Sequence, residues 1–252
     1  SRRFFTMAGV KRMIDTMSLF KLNRLHLHLT DGPGWRLEIK KYPLLTAMSA
    51  WRVPLASGEW NWQEVKLAIQ ENDPEATYGG FYTQEQMKEI IAYARSRRVT
   101  VVPEIELPGH AYAAMHAYGE LVCDGVNFPV EGKKGRDTVC MGRPETLRFV
   151  KDVVDELKTI FPPGSPIHLG HDEVSTESWR NCKYCQSRLK ELNENSLKAL
   201  GRDFLQQVAS YVRQGGYDAI VWDEGGELEA DKHIFVMAWR GNDVAAGAAR
   251  KG

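Results

Sequence analysis

Short apolar runs alternate along the chain with longer stretches of helical periodicity. Five runs have strand length and are bounded by charged, Gly or Pro residues: Arg24 to Leu29, Val99 to Ile105, Ile167 to Gly170, Ala219 to Trp222 and Phe235 to Ala238. Parallel strands covered on both faces have this near-continuous apolar character. Between the runs, Thr83 precedes Gln84, Glu85 and Gln86, and Met87, Ile90, Ile91 and Tyr93 follow at helical spacing, which predicts a capped helix. Glu145 to Ile160 repeats the theme: Leu147, Val150, Val153, Val154, Leu157 and Ile160 form one stripe that Pro162 and Pro163 terminate. Phe204 to Val212 is a third example. The alternation predicts an α/β fold of successive β/α units around a parallel sheet.

Trp51 to Gly80, rich in Trp, Glu, Asn, Asp and Gly, reads as a long loop insertion before a crossover helix. With no linker, low-complexity tract or internal repeat, a single catalytic-size domain spanning 1–252 is expected. A complete eight-stranded barrel takes about 250 residues, and five strands are too few to close one. The expected architecture is therefore an incomplete (β/α)8 TIM barrel of about five or six β/α units, lacking its first strand and its last strands.

Charge and composition narrow the function. The 252 residues are 43% hydrophobic and 26% charged, an ordinary globular composition. Thirty-three basic residues balance thirty-three acidic ones, so nothing favours a nucleic acid or an anionic membrane, and a neutral substrate suits the chain better. No apolar run approaches the ~20 residues that cross a bilayer. The four cysteines fall as Cys123 with Cys140 and Cys182 with Cys185. Cys182-x-x-Cys185 suggests zinc or redox chemistry, but no second pair at ligand spacing accompanies it, which favours local staples or free thiols.

In a (β/α) barrel, working residues gather beyond the C-terminal ends of the strands. Four of the runs end in polar clusters: His26-Leu-His28-Leu-Thr-Asp31, Pro103-Glu104-Ile-Glu106 with Pro108-Gly-His110, His168-Leu-Gly-His171-Asp172-Glu173, and Trp222-Asp-Glu224. Asp172 and Glu173 are adjacent carboxylates, and crowding by like charge is expected to raise one proton affinity and supply a general acid. A helix N-terminus dressed with acidic residues, with Ser175 and Thr176 beginning a helix, is the competing reading. Sequence neighbours are poorly placed to flank a glycosidic bond from both sides. A division of labour in which Glu173 protonates the leaving oxygen and Asp172 orients a nucleophile belonging to the substrate fits better.

The strand-end motifs, in order, resemble those of the family 20 glycoside hydrolases, the β-N-acetylhexosaminidases. His26 to Asp31 followed by Gly34-Trp35-Arg36-Leu-Glu-Ile-Lys-Lys-Tyr-Pro43 is similar to one family signature; Tyr78 to Gln84, Val102 to His110, His168 to Glu173, Trp222 to Glu224 and Trp239-Arg-Gly241 supply the rest. The resemblance implies a retaining enzyme acting on glycans or glycoconjugates with a terminal N-acetylglucosamine or N-acetylgalactosamine, through an oxazoline-like intermediate. It calls for no cofactor and no catalytic metal, and it implies a secreted, periplasmic or lysosomal location. Asp172 would polarise the acetamido group and Glu173 would act as acid and then base. Asp31 and His110 would support the acid, Trp222 and Trp239 would wall the acetamido pocket, and Glu106 would stand behind the site.

Two departures stand out: His171 where the family usually places a second Gly, and Gly32 where a second acidic residue is frequent after Asp31. His171 is expected to crowd the pocket, bond a neighbour or titrate near neutral pH. The resemblance also implies sugar-binding residues on strands this chain does not contain, which motivates a rival reading as a carbohydrate-binding fragment. Another rival is a metal-dependent hydrolase using His26, His28, His110 and Asp172, since His26 and His28 share a strand face; the resemblance instead makes such histidines, with His168, structural. Arg36 is expected to pair with Glu38 or Glu104.

Overall fold

A computed structural model describes residues 3–54, 66–127, 137–224 and 234–251. In chain order the elements are α1 (Met7–Leu19), β1 (Arg24–His28), β2 (Thr30–Asp31), β3 (Gly34–Trp35), α2 (Leu44–Ala47), β4 (Trp51–Arg52), β5 (Tyr78–Gly79) and α3 (Gln84–Ser96). They continue as β6 (Thr100–Glu104), α4 (Tyr112–Ala117), α5 (Pro144–Ile160), β7 (Pro166–His168), α6 (Lys183–Glu191), α7 (Lys198–Gln214), β8 (Asp218–Trp222), β9 (Ile234–Met237) and α8 (Asn242–Lys251).

All five expected strands form, and they assemble into one sheet of order β1-β6-β7-β8-β9 with every pair parallel. Chain order equals spatial order, as in successive right-handed β/α units. Among the described residues β1 and β9 do not pair with each other, so the sheet is an open portion of a barrel wall.

The amphipathic stripes pack as their spacing predicts. α3 carries the expected N-terminal cap in full: the Thr83 hydroxyl accepts from the Gln86 amide, and the Gln86 side chain reaches back to the Thr83 amide. On α5, Val150, Val153, Val154, Leu157 and Ile160 are buried, joined by Phe149. Phe204, Leu205, Val208 and Val212 of α7 face the same layer. These residues meet the outward faces of the strands, where Val101, Ile105, Ile167, Leu169, Ala219 and Val221 lie, and together they make the main core.

The inward face is polar, and the register explains why. His28 stands beside Glu104, Glu104 beside His168, and His168 beside Ile220. Side chains two apart share a face, which adds His26 and Trp222. Five polar or amphipathic side chains from four strands therefore converge where many barrels carry aliphatic layers.

The Trp51 to Gly80 segment is not wholly irregular. β4 pairs antiparallel with β5, and Arg52 also bridges Leu67; residues 55–65 of the expected loop lie outside the described residues. β2 and β3 form a second small hairpin at the mouth of β1. Arg36 corrects an expectation here. It is buried and donates to the carbonyls of Ala50, Gly80 and Pro33, while Glu38 accepts from the Gln84 amide and Glu104 from the inner-face ring. Its guanidinium thus ties the β2–β3 hairpin to the β4–β5 pair. A side chain at Gly34 would strike it, since an added Cβ would stand 2.2 Å from Nη2. Among the described residues no helix is long and apolar enough to cross a membrane.

Candidate active site

The site is built from the segments that leave the C-terminal ends of β1, β6, β7 and β8. At its base Glu104 is a hub. Its Oε2 lies 2.6 Å from His28 Nδ1 and 2.9 Å from His26 Nε2, and its Oε1 accepts from Trp222 Nε1 at 2.6 Å with His168 Nδ1 at 3.5 Å. Burial works against its charge, but the His26 and His28 contacts outweigh it and hold the carboxyl well below the usual range. His168, wholly buried, is held neutral: burial depresses it to about 4, against the attraction of Glu104.

Two residues beyond Glu104, Glu106 lies on the same face and is 1% exposed. Its Oε1 accepts from the His171 amide at 2.9 Å. Burial first, then the charges of Asp172 and Glu104, push this carboxyl well above its ordinary value. Of the two neighbouring carboxyls Glu106 therefore holds a proton the more tightly, and it is the one suited to donate to Asp172 beside it. Gly170 is required under it, because an added Cβ would stand 2.1 Å from both Glu106 oxygens and the local φ is +70°.

Asp172 and Glu173 follow directly. They do not cap a helix: only a 3-10 turn at Glu177–Trp179 follows, and α6 begins at Lys183, so the helix expected at Ser175 and Thr176 is absent. Instead both carboxylates converge on one nitrogen, with His110 Nε2 3.5 Å from Asp172 Oδ2 and 3.5 Å from Glu173 Oε2. Their settings differ. The Asp172 side chain is largely buried, whereas the Glu173 side chain is 54% exposed and its amide donates to Glu224 Oε1 at 3.1 Å. Burial raises Asp172, but the hydrogen bonds of His110 and Glu106 prevail and its carboxyl is depressed. The like-charge pair whose proton affinities the fold separates is therefore Glu106 with Asp172, not Asp172 with its sequence neighbour.

His110 is the electrostatic centre. Nδ1 faces Asp31 Oδ1 at 3.8 Å and Asp137 Oδ2 at 3.7 Å. Burial opposes its charge, yet the Asp172 hydrogen bond and the charges of Asp31, Asp172 and Asp137 raise it to about 9, so it is an imidazolium at neutral pH. Asp31 is in turn bound by His28 Nε2 at 3.3 Å, which links the site to the Glu104 hub. His110, His171 and Glu173 all take left-handed backbone conformations, with φ of +47°, +78° and +49°. Strain of this kind, on the order of 1–3 kcal/mol per residue, gathers where surrounding contacts fix a functional geometry.

His171 answers the question the sequence raised. Its φ of +78° is the left-handed region that glycine favours, consistent with the glycine that the family resemblance implies there. The ring is buried beneath the site, with Cε1 3.4 Å from where a Cβ on Gly201 would stand, so it does not crowd the pocket.

Trp222 presents a half-buried ring over His168 with centroids 4.8 Å apart. Trp239 is 49% exposed, and its Nε1 donates to the Asp223 carbonyl at 2.8 Å. Arg240 packs near its ring and pairs with Glu224. The six residues Asp172, Glu173, Asp31, His110, Glu106 and His171 thus form one connected group, Trp222 joins it through Glu104, and Trp239 stands at the rim.

Asp137 and the hub role of Glu104 were not foreseen. Asp137 lies in no strand-end motif and is distant from His110 in sequence. Glu104 was signalled by its spacing from Glu106 and needed the register to reveal its partners.

Among the described residues, three groups have metal-ligand spacing: the four cysteines, His26 with Glu104 and His168, and His28 with Glu104 and Glu106. None unites His26, His28, His110 and Asp172, so the residue set of the metal-hydrolase reading is not brought together. The two histidine groups share Glu104, already engaged by Trp222, and one of them includes Glu106, whose burial raises its proton affinity. The four cysteines are free, in keeping with one of the two expected readings, but they do not keep to separate local pairs: all four meet in one buried cluster.

Comparison with known proteins agrees with this geometry. The model of the glycosyl hydrolase family 20 catalytic domain matches residues 1–252. A β-hexosaminidase of Porphyromonas gingivalis is 38% identical over 98% of this chain and 30% of its own length; one of Vibrio furnissii is 34% identical over 100% of this chain and 40% of its own. Among solved structures, an exo-β-N-acetylglucosaminidase of Vibrio harveyi in complex with N-acetylglucosamine superposes with a TM-score of 0.84 at 30% identity, covering 100% of this chain and 38% of that one. A β-N-acetylhexosaminidase of Bacteroides fragilis gives 0.79 at 36% identity, covering 100% and 47%. The chain spans less than half the length of these relatives. With its parallel sheet, strand-end carboxylates and match over the whole length, the chain belongs to glycosyl hydrolase family 20 and forms part of that family's (β/α)8-barrel catalytic domain.

Proposed function

We propose that the protein is a retaining β-N-acetylhexosaminidase that removes terminal N-acetylglucosamine or N-acetylgalactosamine from glycans or glycoconjugates, using the substrate's own acetamido group as nucleophile. The observation that carries this reading is the convergence of Asp172 and Glu173 on His110 Nε2 with contrasting settings. Asp172, ionised and anchored by His110 and Glu106, is suited to accept a hydrogen bond from the acetamido N–H. It orients the carbonyl oxygen toward the anomeric carbon and stabilises the positive charge that develops on the ring nitrogen. Glu173, exposed to the cleft, protonates the leaving oxygen and later takes a proton from the water that opens the oxazoline. Two inversions at one carbon retain configuration. Substrate-assisted enzymes of this kind depart from the usual pair of flanking carboxylates, which suits two acids adjacent in sequence. The flat apolar faces of Trp222 and Trp239 are suited to the acetamido methyl and the sugar ring.

The test uses an aryl N-acetyl-β-glucosaminide. Glu173→Gln is expected to abolish release of the aryl group, and Asp172→Asn to lower kcat while binding persists. Undiminished turnover in Glu173→Gln would overturn the assignment. Binding of N-acetylglucosamine by the unaltered protein without product release would favour a carbohydrate-binding role instead.

A further inference from the structure

Behind the catalytic cleft lies a second, small core made of Cys123, Cys140, Trp179, Cys182, Cys185, Leu189, Ala199 and Leu200. The four cysteines come from three places in the chain. Cys123 follows the 3-10 turn Gly119–Leu121, Cys140 precedes α5, Cys182 is the N-cap of α6 and Cys185 lies in its first turn. All four are at most 3% exposed.

Their sulfurs are arranged for a common ligand. Cys140 Sγ is 3.6 Å from Cys182 Sγ and 3.7 Å from Cys185 Sγ, Cys123 Sγ is 3.8 Å from Cys185 Sγ, and the four Sγ all lie within 4.8 Å of one another. Zinc–thiolate bonds of about 2.3 Å in a tetrahedron place the sulfurs about 3.8 Å apart. A disulfide needs about 2.05 Å and joins only two of them. Thiols are weak donors and acceptors, so S–H···S contacts alone give little reason for four to be gathered in one dry pocket.

The surrounding backbone has the form of a thiolate site. The Gly142 amide bonds to Cys140, and the 142 position meets the second ligand loop backbone to backbone: an added Cβ would stand 2.1 Å from the Tyr184 carbonyl and 2.3 Å from the Cys185 nitrogen. Only glycine permits that approach. The N-terminal end of α6 favours negative charge at Cys182 and Cys185. The Arg143 guanidinium lies 4.2 Å, and the Lys183 ammonium 5.1 Å, from the ring centroid of Tyr184, which sits between the two cysteines of the Cys182-x-x-Cys185 loop. A divalent ion with four thiolates has a net charge of two minus, and Arg143 lies near the ligand loop, while the Lys183 ammonium is paired with Asp124 at 3.4 Å.

We propose that Cys123, Cys140, Cys182 and Cys185 bind one structural zinc ion. Four protein ligands close the coordination sphere and leave no position for substrate. The ion would act as a staple between the two segments that carry the catalytic groups. The segment after β6 brings His110 and then Asp137; Ala111 donates to the Asp137 carbonyl, and Val139 donates to the Pro108 carbonyl, immediately before Cys140. The segment after β7 brings Asp172 and Glu173 and then Trp179, whose Nε1 donates to the Val139 carbonyl at 2.9 Å and whose ring flanks the Gly201 position next to His171.

The test is metal and thiol counting on protein prepared without chelator and without an added metal. One zinc per chain by elemental analysis is expected. Titration with a mercurial reagent in the presence of a zinc indicator should release that zinc in step with four thiols. Replacement by cobalt(II) should give the intense visible bands and sulfur-to-metal absorption of a tetrahedral tetrathiolate site. Cys182→Ser should lose the ion and melt at lower temperature; if that variant does not fold, the zinc and thiol counts on the unaltered protein decide alone. Four titratable thiols without metal, two disulfides and no thiols, or a Cys182→Ser variant that keeps stoichiometric zinc would each overturn the proposal.

Discussion

His110→Gln removes the imidazolium that stands among Asp31, Asp137, Asp172 and Glu173 while leaving polar atoms in its place. The folded protein raises this imidazole from 6.5 to about 9. At about 1.4 kcal/mol per unit, that is roughly 3 kcal/mol of preference for the charged form. The side chain is 19% exposed, so solvent screening does not erase the effect. The lowered proton affinity of Asp172 is the same attraction seen from its partner and is not added again. Because the folded value lies above the unfolded one, the stabilisation is fully present below about pH 6.5 and is lost as the pH rises through about 9. Urea unfolding of wild type and variant at about pH 6 and about pH 10 is therefore expected to give a stability gap larger by about 3 kcal/mol at the lower pH. The difference between the two proteins cancels groups that titrate in both. A gap equal at the two pH values would refute the view that His110 is held as an imidazolium by its acidic neighbours.

Other consequences concern single contacts. Glu106→Gln, which keeps a donor toward Asp172 and an acceptor for the His171 amide, is expected to cost less than about 1 kcal/mol, and Glu106→Leu about 2–4 kcal/mol; equal losses in calorimetry would mean that these two bonds do not contribute. His171→Gly relieves a left-handed strain of about 1–2 kcal/mol but forfeits packing at Gly201, so melting temperature should move little and kcat/KM should stay within about twofold. A drop in kcat/KM of about tenfold or more would place the ring against substrate after all. Arg36→Met strands the carbonyls of Ala50, Gly80 and Pro33 and should cost about 2–4 kcal/mol in chemical denaturation.

Much of this molecule is legible in its sequence because local rules govern it. The Thr83 and Gln86 cap, the α5 stripe and the five apolar runs depend on neighbours a few positions away, and each forms where its pattern predicts. The motif order likewise marked Asp172, Glu173, His110 and Asp31 as one site, since residues at strand ends share the same rim of the sheet. What failed to appear was whatever depends on partners distant in sequence. The acidic pair at 172–173 could equally have capped a helix, and only the fold shows His110 drawing both carboxylates to one nitrogen. Register, not spacing, made Glu104 the hub of three histidines and a tryptophan, and burial beside Asp172 raised the proton affinity of Glu106. His171 was ambiguous because a residue letter does not state its φ. The cysteines make the case most plainly: Cys182-x-x-Cys185 is half of a ligand pattern, and its other half lies on two segments that only tertiary packing brings within 4.8 Å. Periodicity and capping are encoded over a few residues and can be read directly; proton affinities and ligand clusters arise from burial and distance between remote segments, which the chain acquires only when it folds.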